Sequence, residues 1–308
     1  MPSFKLQRLP LIKPSRLRPG DLIGIISPAG PVDESELQPD LELLRSSGLR
    51  IHVAPHVYDR NDYLAGDDEA RLSDLHAMFR DREIKAIFCA RGGYGTLRLL
   101  DKIDYDLITK HPKIIVGYSD ITALLMAINK KTGLVTFHGP MVRGLSALHD
   151  NSRESLFRLI SSNQPVSFSP MAGNPLIAGR ATGPLIGGNL SLICHLIGTP
   201  FLPSLDGSIL FIEDRGEPLY RIDRMLTHLA LTGQLKGIAG LIGGEFIECG
   251  DNSAIDNLLN TLASDLDIPL TTGFPVGHGP TNLAFPLGLP AQLDTDSMTL
   301  FLLESCVI

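Results

Sequence analysis

Short apolar runs alternate with longer amphipathic stretches through the first half of the chain. Residues 21–27, Asp-Leu-Ile-Gly-Ile-Ile-Ser, form an apolar run that stops at the turn Ser27-Pro28-Ala29-Gly30. Residues 49–53, 84–90 and 113–116 repeat that run. Between and after them, residues 34–46, 67–79 and 121–129 place apolar side chains at helical spacing. Strands buried on both faces read as continuous apolar runs, and strands alternating with helices imply a parallel sheet with helices against it. The pattern predicts an α/β protein whose N-terminal domain has a parallel sheet flanked by helices. Ligands of such sheets gather at the carboxyl ends of the strands. Ser27, Arg91 and Ser119 each follow a predicted strand end, so one crevice can hold all three.

Periodicity fades over residues 161–183, which contain Pro165, Pro170, Pro175, Gly173 and Gly179. Such a cluster marks a boundary. It divides the chain into an N-terminal domain over 1–163, a linker over 164–183 and a C-terminal α/β domain over 184–308. In the last, residues 189–197, 219–231 and 254–264 predict helices, and 208–212 and 238–242 predict strands. Residues 293–296 and 298–303 predict a closing hairpin.

The length of 308 residues suits one large or two ordinary domains. A net charge of −7 argues against nucleic acid as partner, because phosphate binding needs clustered Lys and Arg. The one basic concentration, Lys5, Arg8, Lys13, Arg16 and Arg18, is broken by prolines and reads as a solvated leader. No apolar stretch is long enough for a membrane span or a secretory signal. Cys89, Cys194, Cys249 and Cys306 are scattered without metal-binding spacing, which predicts no zinc site and reduced thiols in a cytoplasmic setting.

Four stretches carry candidate chemistry. In Val116-Gly117-Tyr118-Ser119-Asp120-Ile121-Thr122, a serine stands at a predicted strand-to-helix junction, where a nucleophile is exposed above a sheet edge. Gly117 fits the elbow pattern and Ile121 does not, and a serine here also suits a plain helix N-cap. Arg91-Gly92-Gly93-Tyr94-Gly95 is a glycine-rich turn, serving either as an anion cradle or simply as a turn. It matches neither a Walker loop nor a dinucleotide fingerprint. Phe211-Ile212-Glu213-Asp214 places two acids at a predicted strand end, either solvated or orienting an imidazole. Phe274-Pro275-Val276-Gly277-His278-Gly279-Pro280 sets a histidine in a rigid loop. His138, after the apolar run 134–137, is its rival as a base. A serine nucleophile needs a base, and the base an orienting acid. Ser119, His278 and Glu213 supply one of each.

Together with Gly187-Gly188-Asn189-Leu190, these motifs resemble, in order, those of the LD-carboxypeptidases, the S66 serine peptidases. The resemblance covers roughly residues 19–303. It implies a Ser119–His278–Glu213 triad, split between two domains, and an oxyanion hole placed at the backbone N–H groups of Gly93 and Asp120. It implies a cytoplasmic homodimer that releases terminal D-alanine from murein tetrapeptides during peptidoglycan recycling, without a cofactor. A carboxypeptidase must also grip a free carboxylate. Arg91 or the backbone near Gly92 can do so, unless Arg91 is paired with a local acid. Two other readings stand beside this one. A branch of the same family hydrolyses microcin C-type peptidyl nucleotides, for which the absence of tryptophan and a 6% aromatic content are poor equipment. A peptide-binding module without turnover is the other, and it has no need of an activated nucleophile.

Overall fold

The computed structural model describes residues 9–169 and 174–308; Lys5, Arg8, Pro170 and Gly173 lie outside the described residues. The first half contains strands β1 (Leu22–Ile26), β2 (Arg50–Val53), β3 (Ile84–Cys89), β4 (Ile114–Gly117) and β5 (Thr136–His138). Helices α1 (Glu34–Ser46), α2 (Asp68–Arg80), α3 (Tyr105–Lys110), α4 (Ile121–Thr132) and α5 (Asp150–Ser161) accompany them. The second half contains β6 (Ser167–Phe168), β7 (Asn174–Ile177), β8 (Arg180–Asn189), β9 (Ile209–Arg215), β10 (Gly240–Ile247), β11 (Leu270–Thr272), β12 (Phe285–Leu287), β13 (Pro290–Asp294) and β14 (Thr299–Leu302). Its helices are α6 (Leu190–Leu196), α7 (Leu219–Leu231) and α8 (Asn252–Leu266).

Two sheets result. One is six-stranded, in the order β12-β5-β4-β3-β1-β2, and the other eight-stranded, in the order β6-β14-β13-β8-β9-β10-β11-β7. β1 to β4 pair in parallel, as their apolar runs predict, and β5, not predicted as a strand, continues the parallel set beside β4. β8, β9, β10 and β11 are also parallel, and the hairpin β13–β14 pairs antiparallel beside them. The fold is therefore α/β with two mixed sheets.

Two features depart from the periodicity. The stretch 164–183, expected as a linker, contributes β6, β7 and the start of β8 to the larger sheet. β6 and β7 lie at its two edges, where proline is tolerated because one row of backbone groups stays unpaired. β12, expected within the C-terminal domain, pairs with β5 of the six-stranded sheet, with Phe285 opposite His138. Phe285 also packs against Phe211 of β9 at 5.2 Å and Phe274 at 5.9 Å. One strand of three residues thus ties the two sheets into one continuous core. No helix among the described residues is long and apolar enough to cross a membrane, and the four cysteines are free.

Candidate active site

β4 is fully buried and feeds straight into α4. Between them Ser119 takes φ +62°, a left-handed conformation that costs a non-glycine residue free energy and gathers at functional sites. Ser119 is not a cap. The N-cap position of α4 is Asp120, and no hydrogen bond reaches Ser119 Oγ among the described residues. The turn closes because Gly117 has no side chain: a Cβ there would lie 2.6 Å from Ile121 Cγ2. Gly117 alone makes the room, which explains why Ile121 is tolerated where the elbow pattern asks for a second glycine.

The glycine-rich loop after β3 reaches the same point. A Cβ on Gly92 would lie 2.9 Å from Ser119 Cβ and 3.0 Å from its Oγ. Gly92 O accepts from Gly30 N–H at 3.0 Å, so the turn after β1 carries this loop. The buried Asp120 carboxylate accepts from Thr96 N–H at 2.9 Å, and Thr96 Oγ1 donates to Asp120 O at 2.7 Å. These bonds lock the loop to the elbow. Among the described residues, the backbone N–H groups of Gly93 and Asp120 donate to no other part of the chain. Free N–H groups at a helix N-terminus suit a developing oxyanion.

Glu213 lies inside β9 rather than at its end, because the strand runs on to Arg215. It is fully buried. Its Oε2 lies 2.7 Å from His278 Nδ1. Burial pushes its carboxyl above the ordinary range, and the bond to His278 works against that rise. Asn282 Oδ1 accepts from Gly277 N–H at 3.0 Å, and Asn282 N–H donates to Ser152 Oγ at 2.9 Å, which fastens the histidine loop to α5. Neither Asn282 nor Ser152 stands out in the sequence, since their partners are far away along the chain.

Two contacts near Ser119 join the halves, and a third carries one of them on to Glu213. The Tyr118 ring, next to Ser119, meets the His278 ring edge-on with centroids 4.9 Å apart. Thr122 Oγ1, on the first turn of α4, accepts from Asn189 N–H at 3.1 Å. Asn189 pairs with Glu213 across β8 and β9. The loop bearing His278 therefore lies against the residue next to Ser119. His138 does not compete as the base. It is fully buried under Tyr118 and Phe211, and burial holds its imidazole down to about 3, so it stays neutral.

Arg91 has no ion pair among the described residues. Its Nη1 donates to Pro31 O at 2.8 Å and its Nε is buried without a partner. It lines a cavity of about 630 Å³ with Gly93, Arg60, Tyr63 and Tyr94. An unpaired guanidinium beside Gly93 is chemically ready for a carboxylate.

Both halves of the chain are similar to known proteins. Residues 23–139 match the model of the LD-carboxypeptidase N-terminal domain, and residues 182–293 that of its C-terminal domain. A probable murein peptide carboxypeptidase of Bacillus subtilis (strain 168) is 41% identical over 298 residues, covering 93% of each chain. The crystal structure of a muramoyltetrapeptide carboxypeptidase from Oxalobacter formigenes superposes with a TM-score of 0.83 at 32% identity, over 91% of this chain and 97% of that one. An MccF-like protein from Bacillus anthracis str. Ames superposes with a TM-score of 0.90 at 28% identity, over 94% and 99%. With both halves matched and a relative 41% identical over 93% of each chain, the chain belongs to the LD-carboxypeptidases of peptidase family S66.

Proposed function

We propose that this protein is a serine-type LD-carboxypeptidase that removes the terminal D-alanine of murein tetrapeptides. The observation that carries the reading is the 2.7 Å contact from His278 Nδ1 to the buried Glu213, with the ring against Tyr118 beside Ser119. Glu213 fixes the imidazole with Nδ1 as donor, leaving Nε2 to accept a proton. Ser119 Oγ attacks the scissile carbonyl as Nε2 takes its proton. The oxyanion is held by the N–H groups of Gly93 and Asp120. The tetrahedral adduct collapses with proton return to the D-alanine amine, which leaves. Water, deprotonated by His278, then cleaves the ester and restores Ser119. Arg91 holds the terminal carboxylate from the neighbouring cavity. A relative named a murein peptide carboxypeptidase at 41% identity supports this substrate.

The test is mass spectrometry of a purified tetrapeptide incubated with the protein. Loss of one alanine is expected, and Ser119→Ala should fold normally while losing roughly four to six orders of magnitude in turnover. Turnover near wild type in that variant refutes the triad. A second reading, hydrolysis of microcin C-type compounds, draws on the likeness to the MccF-like protein and on Tyr63 and Tyr94, whose rings meet edge-on at 5.6 Å by the Arg91 cavity. Parallel incubation with both substrates separates them. A binder without turnover would leave Ser119 unlabelled by a serine-reactive probe. The cytoplasmic setting and the homodimer belong to the same proposal, and light scattering of the purified protein tests the latter.

A further inference from the structure

His278 stands between two glycines, and a carboxylate presses on each. A Cβ on Gly277 would lie 2.5 Å from Glu213 Oε2. A Cβ on Gly279 would overlap Glu245 Oε2. The second glutamate reaches the loop through an irregularity of β10. Gly243 pairs with Ile212, and Phe246 with Asp214. Between these pairs β9 has one residue, Glu213, and β10 has two, Gly244 and Glu245. An extra residue of this kind bends the strand and re-aims side chains, and such bulges gather near active sites. Here it sets Glu245 beside the histidine loop.

Glu245 grips the loop twice. Its backbone N–H donates to Val276 O at 3.0 Å, and its carboxylate packs on Gly279. Its Oε2 is buried and has no hydrogen-bond partner among the described residues. A buried carboxylate oxygen without a partner destabilises a fold, so stability alone gives no reason to keep it there. Burial, with the nearby Glu213 adding to it, raises this carboxyl above its ordinary range. The electrostatic pull of the nearby Gly279 amide and His278, neither of which hydrogen-bonds Oε2, partly offsets the rise.

We propose that Glu245 is a positioning residue for His278: it clamps the 276–279 segment so that the imidazole stays on Glu213 while Nε2 exchanges protons with Ser119 and the leaving amine. It touches no substrate and acts only through the loop. The role rests on the triad proposed above.

A double-mutant cycle tests it. Glu245→Ala lowers kcat by about tenfold with KM nearly unchanged, because positioning serves the chemical step. Glu245→Gln, which keeps the shape, stays within about threefold of wild type. Gly279→Ala costs roughly a hundredfold with Glu245 present, yet less than about threefold in the Glu245→Ala background, since the overlapping partner is gone. In proton NMR, the His278 Nδ1–H resonance, assigned by its loss in His278→Gln, is sharp in wild type and Glu245→Gln. It broadens in Glu245→Ala. A sharp resonance with unchanged kcat in Glu245→Ala overturns the proposal, as does an equal cost of Gly279→Ala in both backgrounds. Should the alanine variant not fold, Glu245→Ser takes its place. The resonance needs no substrate, so failure of the wild type to release alanine counts against the substrate reading and leaves this one to its own result.

Discussion

The two sheets build their sides of the proposed site by different means. The six-stranded sheet works with backbone: a serine at φ +62°, a glycine in contact with it, and N–H groups free to donate. The eight-stranded sheet works with buried polar side chains: a fully buried glutamate bonded to a histidine, and a bulge that sends a second glutamate to the same loop. A backbone device fails when atoms are added to it, whereas a charge device fails when a charge is taken away. Each half should therefore be blind to the change that ruins the other.

Removing charge is expected to have the larger effect. Glu213→Gln keeps the shape of the side chain but frees the wrong tautomer of His278, so kcat should fall by roughly 10³–10⁴. The same change should stabilise the protein at neutral pH, because a buried neutral amide costs less than a buried carboxylate. The folded carboxyl of Glu213 lies above its ordinary value of 4.5. A raised group contributes stability that is fully present below 4.5 and lost as pH rises through the folded value. Wild type and variant should melt together near pH 4, and a gap in favour of the variant should open towards pH 7. For a chain of this size each kcal/mol recovered shifts Tm by roughly 2–4 °C. Thermal melts at the two pH values check this, and a variant less stable at pH 7 than at pH 4, relative to wild type, breaks the contrast between the halves.

Adding atoms should come next. Gly92→Ala puts a methyl group 2.9 Å from Ser119 Cβ, and kcat should fall by about 10²–10³, the range for a lost oxyanion-hole donor. Its Tm difference from wild type should not open between pH 4 and 7 as that of Glu213→Gln does. Arg91→Ala follows with a rise in KM of about 10–100-fold and a smaller change in kcat, as expected for a group that binds the carboxylate equally in ground and transition states. Steady-state kinetics on the tetrapeptide separate the two.

The same division decides what could be seen in advance. The helices 34–46 and 219–231 and the buried strands β1, β3 and β4 are local patterns, and the structure has them where periodicity put them, whereas β2 is a half-exposed edge strand. Gly117 and Ser119 are likewise close in the chain, with only Tyr118 between them, so their turn was legible. The second half depends on distant partners. From its own neighbours Glu213 is either a solvated strand end or the orienter of an imidazole, because its partner His278 is 65 residues away. β12 is three residues long, and only pairing with β5 and packing on Phe211 define it. Glu245 is marked by nothing nearby, because a bulge is a relation between two strands.

His138 lies where the two sheets meet, and it bounds the contrast from the other side. It belongs to β5, packs on Tyr118 and Phe211, and has both ring nitrogens buried without partners among the described residues. A neutral, unbonded imidazole adds nothing to either device, so His138→Phe should change kcat/KM by less than about tenfold, the equivalent of 1.4 kcal/mol. Its effect should appear in stability, with the opposite dependence on pH to Glu213→Gln. The folded value of about 3 lies below the ordinary 6.5. A depressed group contributes stability that is present above 6.5 and lost as pH falls towards the folded value. Phenylalanine cannot take up that proton, so the variant should gain on wild type on acidification from pH 7 to 4, where Glu213→Gln loses its advantage. Melting curves of both variants over one pH series test the pair together. Parallel slopes would mean that one of the two groups, Glu213 or His138, is shifted in the direction opposite to the one its burial imposes.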